Sequence, residues 1–491
     1  MKNIKKILWA MMPVAAALML ASCSSDDDQF AAPQSANTIP YTVSVSEGGT
    51  RAAFADGTYT GLVFAAGDKL YINNADGSVY GTLTMQSGSG TSSATFSGEL
   101  SYTGAAPTAE TALTATLLSA DNEVVQIGTD HVAAPQYGGI CTNLAQAVSK
   151  YSYLSGAGTF GGAAFALSQG TAFLNFNVTL NDGEAGSKTV AVKNALKSIA
   201  SGTVSGENSV SFVAPVAVGT TLNNASVYVE GWKLSDSFGS SLATALTAKV
   251  YNITKTVDKA TVPAGVQWID LGIVVGGKKV LFADRNVGAT NGSTKESWYG
   301  DYFMWGAIVP CNDIACNWDN YPYSKGSIET LTKYVTEASA SSYGYNGFYD
   351  NKTELDPEDD PAHVQWGTSV YLPTKDELQA LVNTKSNTTD YTWTWTFNYN
   401  SISGLSGWVI TWNGTKDDAA DGTTLFLPAA GCRYDTSFDD QGSIGRYWSS
   451  SLSENYPYFG HCLGFYSGSV GVGDYGYYRY YGRSVRGVQR N

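Results

Sequence analysis

Three histidines, His131, His363 and His461, are scattered over 491 residues, and none stands near a Gly-x-Ser-x-Gly turn. Nucleophilic catalysis needs a nucleophile with a base beside it, and the sequence offers no such pair. The stretch whose residue types come nearest to acid–base or metal chemistry is Asp356-Pro357-Glu358-Asp359-Asp360-Pro361-Ala362-His363. Carboxylates beside an imidazole can ligate Ca²⁺ or Zn²⁺. Two prolines break this run and its spacing fits no ligand loop, so it reads as an acidic structural turn. Asn317-Trp318-Asp319-Asn320 has the residue types of a Ca²⁺-dependent sugar site, but neither the order nor the partners. The expectation is a chain that is not an enzyme and carries no catalytic residue, no metal and no cofactor.

A different chemistry is written at the start of the chain. Lys2, Lys5 and Lys6 precede an apolar run from Ile7 to Leu20, which ends in Leu20-Ala21-Ser22-Cys23. The run is of signal-peptide length, and Pro13 interrupts it too early for a stable membrane span. Small residues before a cysteine are what a lipoprotein signal peptidase requires, so residues 1–22 are expected to be removed and Cys23 lipidated. More than one acyl chain on Cys23 suffices for stable anchoring. Ser24-Ser25-Asp26-Asp27-Asp28 opens a polar tether, residues 23–38, and resembles the export tag of surface-exposed lipoproteins. The expected location is the outer membrane, lipid-anchored, at the cell surface or in a fimbrium. Five further cysteines remain, Cys141, Cys311, Cys316, Cys432 and Cys462, in a compartment that permits disulfides. Cys311 and Cys316 are close enough in sequence to staple one loop, and a Cys432–Cys462 pair is open as well.

The third chemistry is recognition. Between Tyr447 and Tyr481 about a third of the residues are aromatic, against 12% for the whole chain. Tyrosine gives a large amphipathic contact area at low entropic cost, and the interleaved Gly, Ser, Asn and Asp add adaptable hydrogen bonds. The expected ligand-binding residues are Tyr456, Tyr458, Phe459, His461, Tyr466, Asp474, Tyr475, Tyr477, Tyr478 and Tyr480. From Tyr456 to Arg483 there is no Lys, Glu, Gln, Met or Trp. The residues present are those reachable by changing adenines in an asparagine codon.

The elements that must position these residues are mostly strands. The net charge of −14 argues against nucleic acid as a partner, which needs a basic footprint. With 43% hydrophobic residues the chain can build real cores. From Ile39 to Val257 short alternating runs such as Tyr41-Thr42-Val43-Ser44-Val45 and Ala172-Phe173-Leu174-Asn175-Phe176-Asn177-Val178 are separated by Gly, Asn and Asp turns. No convincing helix is evident there. The length predicts two sandwiches in residues 39–258, dividing near the glycine-rich stretch 156–162. Residues 259–265 read as a linker. The remainder, 266–491, is Trp- and Tyr-rich with one helix signal: Thr374 as N-cap, Glu377 three residues on, then Leu378, Leu381 and Val382 on one face. It is expected to be a compact α+β module.

Two family resemblances follow from these residues. Thr50-Arg51-Ala52, Phe64-Ala65-Ala66-Gly67-Asp68-Lys69-Leu70, Ala94-Thr95-Phe96-Ser97-Gly98-Glu99-Leu100 and, later, Tyr251-Asn252-Ile253 resemble fimbrillin-type (type V) pilins over residues 37–258. Trp268-Ile269-Asp270-Leu271-Gly272, Asn286-Val287-Gly288-Ala289, Gly300-Asp301-Tyr302-Phe303-Met304-Trp305-Gly306, Leu372-Pro373-Thr374-Lys375-Asp376-Glu377-Leu378, Phe426-Leu427-Pro428-Ala429-Ala430-Gly431, Tyr447-Trp448-Ser449-Ser450-Ser451 and Gly482-Arg483-Ser484-Val485-Arg486 resemble the C-type-lectin-like domains that end bacterial surface lipoproteins. The tail itself is similar to the variable region of retroelement-diversified proteins, which this fold carries. Together they imply a mostly β chain: two tandem transthyretin-like β-sandwiches followed by an α+β C-type-lectin-like domain. The pilin resemblance implies polymerisation with other fimbrial subunits by strand exchange after cleavage at Arg51. Because the pilin-like part runs on into a second module, the implied place is a fimbrial tip, an adhesin for a host or microbial surface glycan or protein. A structural anchor, a minor shaft subunit or a stand-alone lipid-anchored receptor are the alternatives. The lectin-like fold is shared with formylglycine-generating enzymes, whose site needs a copper-binding cysteine pair. Cys432 and Cys462 lack the supporting residues for that role.

Overall fold

The computed structural model describes residues 37–47, 53–55, 58–60, 64, 66–118, 121–162, 164–238, 242–342, 349–386, 393–397, 404–413, 422–473 and 477–491. The leader, Cys23, Arg51, Asp474 and Tyr475 lie outside the described residues. Over the described residues the chain is mostly β.

Period-2 alternation sets the first unit. Tyr41, Val43 and Val45 share one face of the strand Asn37–Glu47 and are buried with Leu70, Ile72, Leu83, Phe96, Leu100, Leu117 and Phe165. The strand pairs antiparallel with Ser93–Tyr102 and, on its other side, parallel with Ala164–Gln169. The second pairing closes the sheet into a barrel, in the order 37–47, 164–169, 153–159, 112–118, 69–73, 79–87, 93–102. Alternation leads one to expect a sandwich here. The structure instead has a closed barrel, because the first strand is shared by both edges and leaves neither unpaired.

The glycine-rich stretch 156–162 does not divide two units. Tyr153–Thr159 and Ala164–Gln169 pair as a hairpin inside the barrel. Gly156 packs so closely that a Cβ there would meet the Ala166 carbonyl oxygen at 2.2 Å, so the glycine marks tight strand packing rather than a hinge. The boundary falls near Gly170.

The second unit is a sandwich. Thr171–Leu180 lies between antiparallel Ser209–Ala217 and parallel Val250–Val257, and a second sheet orders Lys197–Gly206, Gly186–Asn194, Ala225–Val229. Leu174, Phe176 and Val178 of one sheet meet Val190, Val192 and Val227 of the other. The outer face of the first sheet is covered by a helix, Leu144–Tyr151, in a region expected to hold strands alone. Its signals are present in the sequence: Leu144, Ala147, Val148 and Tyr151 recur at helical spacing, and the Asn143 side chain accepts the Gln146 N–H at 2.9 Å.

Residues 258–260 are tied down rather than free. Trp232 bridges to Lys259, and the Ala260 N–H donates to the Gly231 carbonyl at 2.9 Å. Ala191 and Tyr228 of the sandwich pack on Ile308 and Val364 of the C-terminal module. Lys193 is buried at the same junction, its ammonium pushed down by desolvation and pulled back up by the charge of Asp359.

The C-terminal module closes on itself. Lys278–Ala283 pairs with both Trp268–Val275 and the last strand, Val488–Arg490. The helix Lys375–Ser386 packs Leu378, Leu381 and Val382 into a core with Trp408, Ile410, Trp412 and Leu463. Its capping box is as the sequence predicts. The Thr374 N–H donates to Glu377 Oε2 at 2.8 Å, and the Glu377 N–H to Thr374 Oγ1 at 3.2 Å. Glu377 also receives Arg490 Nε at 2.6 Å and Nη2 at 2.9 Å, joining the helix start to the chain end. Thr374→Ala is expected to lower stability by about 1 kcal/mol. Glu377→Ala, which strands a half-buried guanidinium, is expected to lower it by about 2–4 kcal/mol in urea denaturation.

Candidate ligand-binding face

The site grows from a three-stranded sheet, Gly445–Leu452, Gly460–Tyr466 and Ser469–Gly473, in that order. The loop after the first strand carries Tyr456, Tyr458 and Phe459. The segment returning after the third carries Tyr477, Tyr478, Tyr480 and Tyr481. Backbone bonds bring the two together: the Arg479 N–H donates to the Tyr458 carbonyl at 3.1 Å, and the Gly460 N–H to the Tyr477 carbonyl at 3.3 Å.

The rings of Tyr456, Tyr458, Phe459, Tyr478, Tyr480 and Tyr481 form one continuous band. Tyr456 meets Phe459 at 5.3 Å, Phe459 meets Tyr478 at 4.9 Å, and Tyr478 stacks on Tyr480 at 5.4 Å with the planes 17° apart. Tyr480 meets Tyr481 at 4.8 Å. Two residues outside the expected set complete the band. Trp318 lies edge-on to Tyr480 at 5.0 Å, and Tyr434 meets Tyr481 at 5.4 Å. Both come from segments distant in sequence, and only the aromatic richness of the module hinted at them. Edge-to-face and offset contacts of this kind hold rings rigid at modest gain. Most of the band is half-buried, and Tyr434 is 47% exposed.

The eight expected residues that lie among the described ones divide into three groups. Tyr456, Tyr458, Phe459 and Tyr478 sit half-exposed on the band. Tyr466, 54% exposed, and Tyr477 lie apart from it, beside a half-open cavity of about 330 Å³ lined also by Arg446, Gly464 and Gly471. His461 and Tyr480, expected on the surface, are instead 4% and 9% exposed and act as supports. The reason for His461 lies in its partner. Its Nε2 is 2.7 Å from Glu454 Oε2, and Glu454 accepts Lys375 Nζ at 2.8 Å, so the ring anchors the loop that carries Tyr456.

Beneath the band lie Arg479 and Arg483, both fully buried. The Arg483 guanidinium sits over Trp448 at 4.3 Å and Tyr477 at 4.1 Å, and its Nη1 donates to Cys462 Sγ at 2.7 Å. Arg479 donates to the carbonyls of Lys333 and Tyr334 and faces Trp305.

The acidic turn has a structural role. Asp359 accepts from Lys333 Nζ and from the Tyr334 hydroxyl, and Asp356 binds Lys333 and Lys352. Asp360 caps the helix Pro361–Trp366 by accepting the N–H of Ala362 and of His363. His363 Nδ1 is 3.1 Å from the Val370 carbonyl. Among the described residues no three His, Cys, Asp or Glu side chains converge as metal ligands. Asn317 Nδ2 reaches Asp435, and its Oδ1 caps Asn320, so that motif is a turn that holds Trp318 in place.

No family model matches the chain, and no curated protein matches it. Among solved structures, it has a distant likeness to a candidate cell adhesion protein from Bacteroides uniformis, with a TM-score of 0.23 at 11% identity, covering 44% of this chain and 92% of that one. A fimbrial assembly protein from Parabacteroides distasonis gives a TM-score of 0.24 at 10% identity, covering 44% and 91%. A candidate adhesin from Bacteroides ovatus gives 0.25 at 12% identity, covering 50% and 100%. Likeness at this level says nothing of what the chain does.

Burial works against the charge on Glu454, but the hydrogen bonds from Lys375 and His461 outweigh it and hold its carboxyl down at about 2. A carboxyl held below its ordinary value stabilises the fold fully above that ordinary value and loses this effect as the pH falls through the lowered one. The stability gap between the native protein and Glu454→Gln is therefore expected to stay level above about pH 5 and to narrow steadily toward pH 2 in urea titrations.

Proposed function

We propose that this chain is a cell-surface adhesin whose C-terminal, C-type-lectin-like module binds a surface glycan or protein through the aromatic band. The observation that carries the reading is the band itself. Half-exposed rings from four separate segments are fixed in mutual contact over a buried support, which is a preorganised surface for recognition. Tyrosine faces of this kind stack on sugar rings and anchor protein partners alike.

The N-terminal units act, in this reading, as the fimbrial attachment, with Cys23 as the lipid anchor of the precursor. The strand Asn37–Glu47 fills the barrel seam between Ser93–Tyr102 and Ala164–Gln169. Cleavage at Arg51 would open that seam to a neighbour's strand by β-augmentation. Val250–Val257, by contrast, runs straight into residues 258–260, which are bonded to Gly231 and Trp232, so it is not free to be donated. A subunit that accepts a strand and donates none belongs at a fibre tip. The tight junction around Lys193 and Tyr228 would hold the module at a fixed angle there.

The test is binding of the full-length protein to glycan and surface-protein arrays, beside a variant combining Tyr434→Ser, Tyr456→Ser and Tyr458→Ser. A specific ligand whose affinity falls about tenfold or more, with circular dichroism unchanged, is the expected result. A folded variant that keeps native affinity rejects the band as the site. Absence of any specific ligand returns the module to a structural role in an anchor or minor shaft subunit.

A further inference from the structure

All five described cysteines are buried thiols, and their surroundings are not equivalent. Cys141 packs among Ala147, Phe173 and Val213 in the sandwich. Cys432 Sγ accepts Arg446 Nη1 at 3.0 Å, and Cys462 Sγ accepts Arg483 Nη1 at 2.7 Å, so each of these sulfurs is engaged by a guanidinium. Cys311 and Cys316 alone face each other, with their sulfurs 2.7 Å apart.

The backbone fixes that meeting. The Cys311 N–H donates to the Tyr302 carbonyl at 2.8 Å, and the Cys316 N–H to the Asp435 carbonyl at 2.8 Å. Between them the Ile314 N–H closes a turn onto the Cys311 carbonyl at 3.2 Å. Above both sulfurs lies Gly482, where a Cβ would stand 2.7 Å from one and 3.0 Å from the other. Gly482 is bonded in both directions to Arg433. The pair is therefore enclosed on the underside of the segment that carries Tyr480 and Tyr481. Trp318, which leans on Tyr480, follows Cys316 by two residues.

We propose that Cys311 and Cys316 form a disulfide in the exported protein, and that this bond locks the loop presenting Trp318 under the aromatic band. The step joins the two sulfurs and releases two protons and two electrons. The electrons pass to the disulfide of an envelope thiol oxidoreductase, which leaves as a dithiol after a mixed-disulfide intermediate. Since both sulfurs are fully buried once the module closes, the exchange takes place during folding, and reductant cannot reach the bond in the native protein. Cys432 and Cys462 stay as thiols.

Full-length protein isolated from the envelope of the producing cell is denatured and alkylated with one reagent, then reduced and alkylated with an isotopically distinct one. Peptide mass spectrometry should find only the second label on Cys311 and Cys316, and only the first on Cys141, Cys432 and Cys462. Incubating the native protein with dithiothreitol before denaturation should leave this pattern unchanged. The double variant Cys311→Ser, Cys316→Ser should melt about 4–8 °C lower in its C-terminal module. First label on Cys311 and Cys316, or second label on Cys432 with Cys462 instead, overturns the proposal.

Discussion

Arg486 sets the terms for the C-terminal module. Its guanidinium is fully buried, and among the described residues its hydrogen bonds go to neutral groups rather than to a carboxylate. Nε and Nη2 donate to Asn286 Oδ1 at 2.9 and 2.6 Å, Nη1 to the Ala283 carbonyl at 2.8 Å, and Nη2 to the Phe426 carbonyl at 3.0 Å. Asn286 is in turn fixed by donating to the Tyr299 carbonyl at 2.9 Å. One side chain thus ties the last segment to residues 60, 200 and 203 positions earlier. Arg483 and Arg479, three and seven residues before Arg486, repeat the device, with aromatic faces supplying part of the compensation.

The backbone around these arginines does the same work. Residues 479–488 exchange hydrogen bonds with Phe303, Trp305, Arg433, Trp448 and Tyr371, and Val485 accepts from Val287. The last segment is therefore the axis around which the module is assembled. Tyr480 and Tyr481 of the aromatic band belong to that segment, and its backbone bonds hold their rings in place. A change in the band's surface tyrosines leaves the hydrogen bonds that Arg479, Arg483 and Arg486 donate in place, whereas a change beneath it removes them in the core.

Local features of this chain were legible in its sequence. The Thr374–Glu377 box, the alternation of Tyr41, Val43 and Val45, and the aromatic tail each depend on residues within a few positions of one another. Features made by distant pairing were not. Barrel closure depends on Ser44 lying opposite Ala164, and the band on Trp318 and Tyr434 arriving from loops far from the tail. Gly156 shows how composition misleads: glycine serves close packing as readily as a hinge, and only the neighbouring strand decides which. His461 misled for another reason, because a polar residue among tyrosines reads as surface until its bond to Glu454 is seen. Buried arginines run against every compositional expectation.

The most direct measurement is hydroxyl-radical footprinting of the full-length protein, free and engaged with the surface or array ligand that retains it. The account predicts that protection falls on Tyr434, Tyr456, Tyr458 and Tyr478, while Tyr71 and Tyr80 in the barrel react equally in both states. Protection of the barrel tyrosines with the band unchanged would contradict it and move recognition to the N-terminal units.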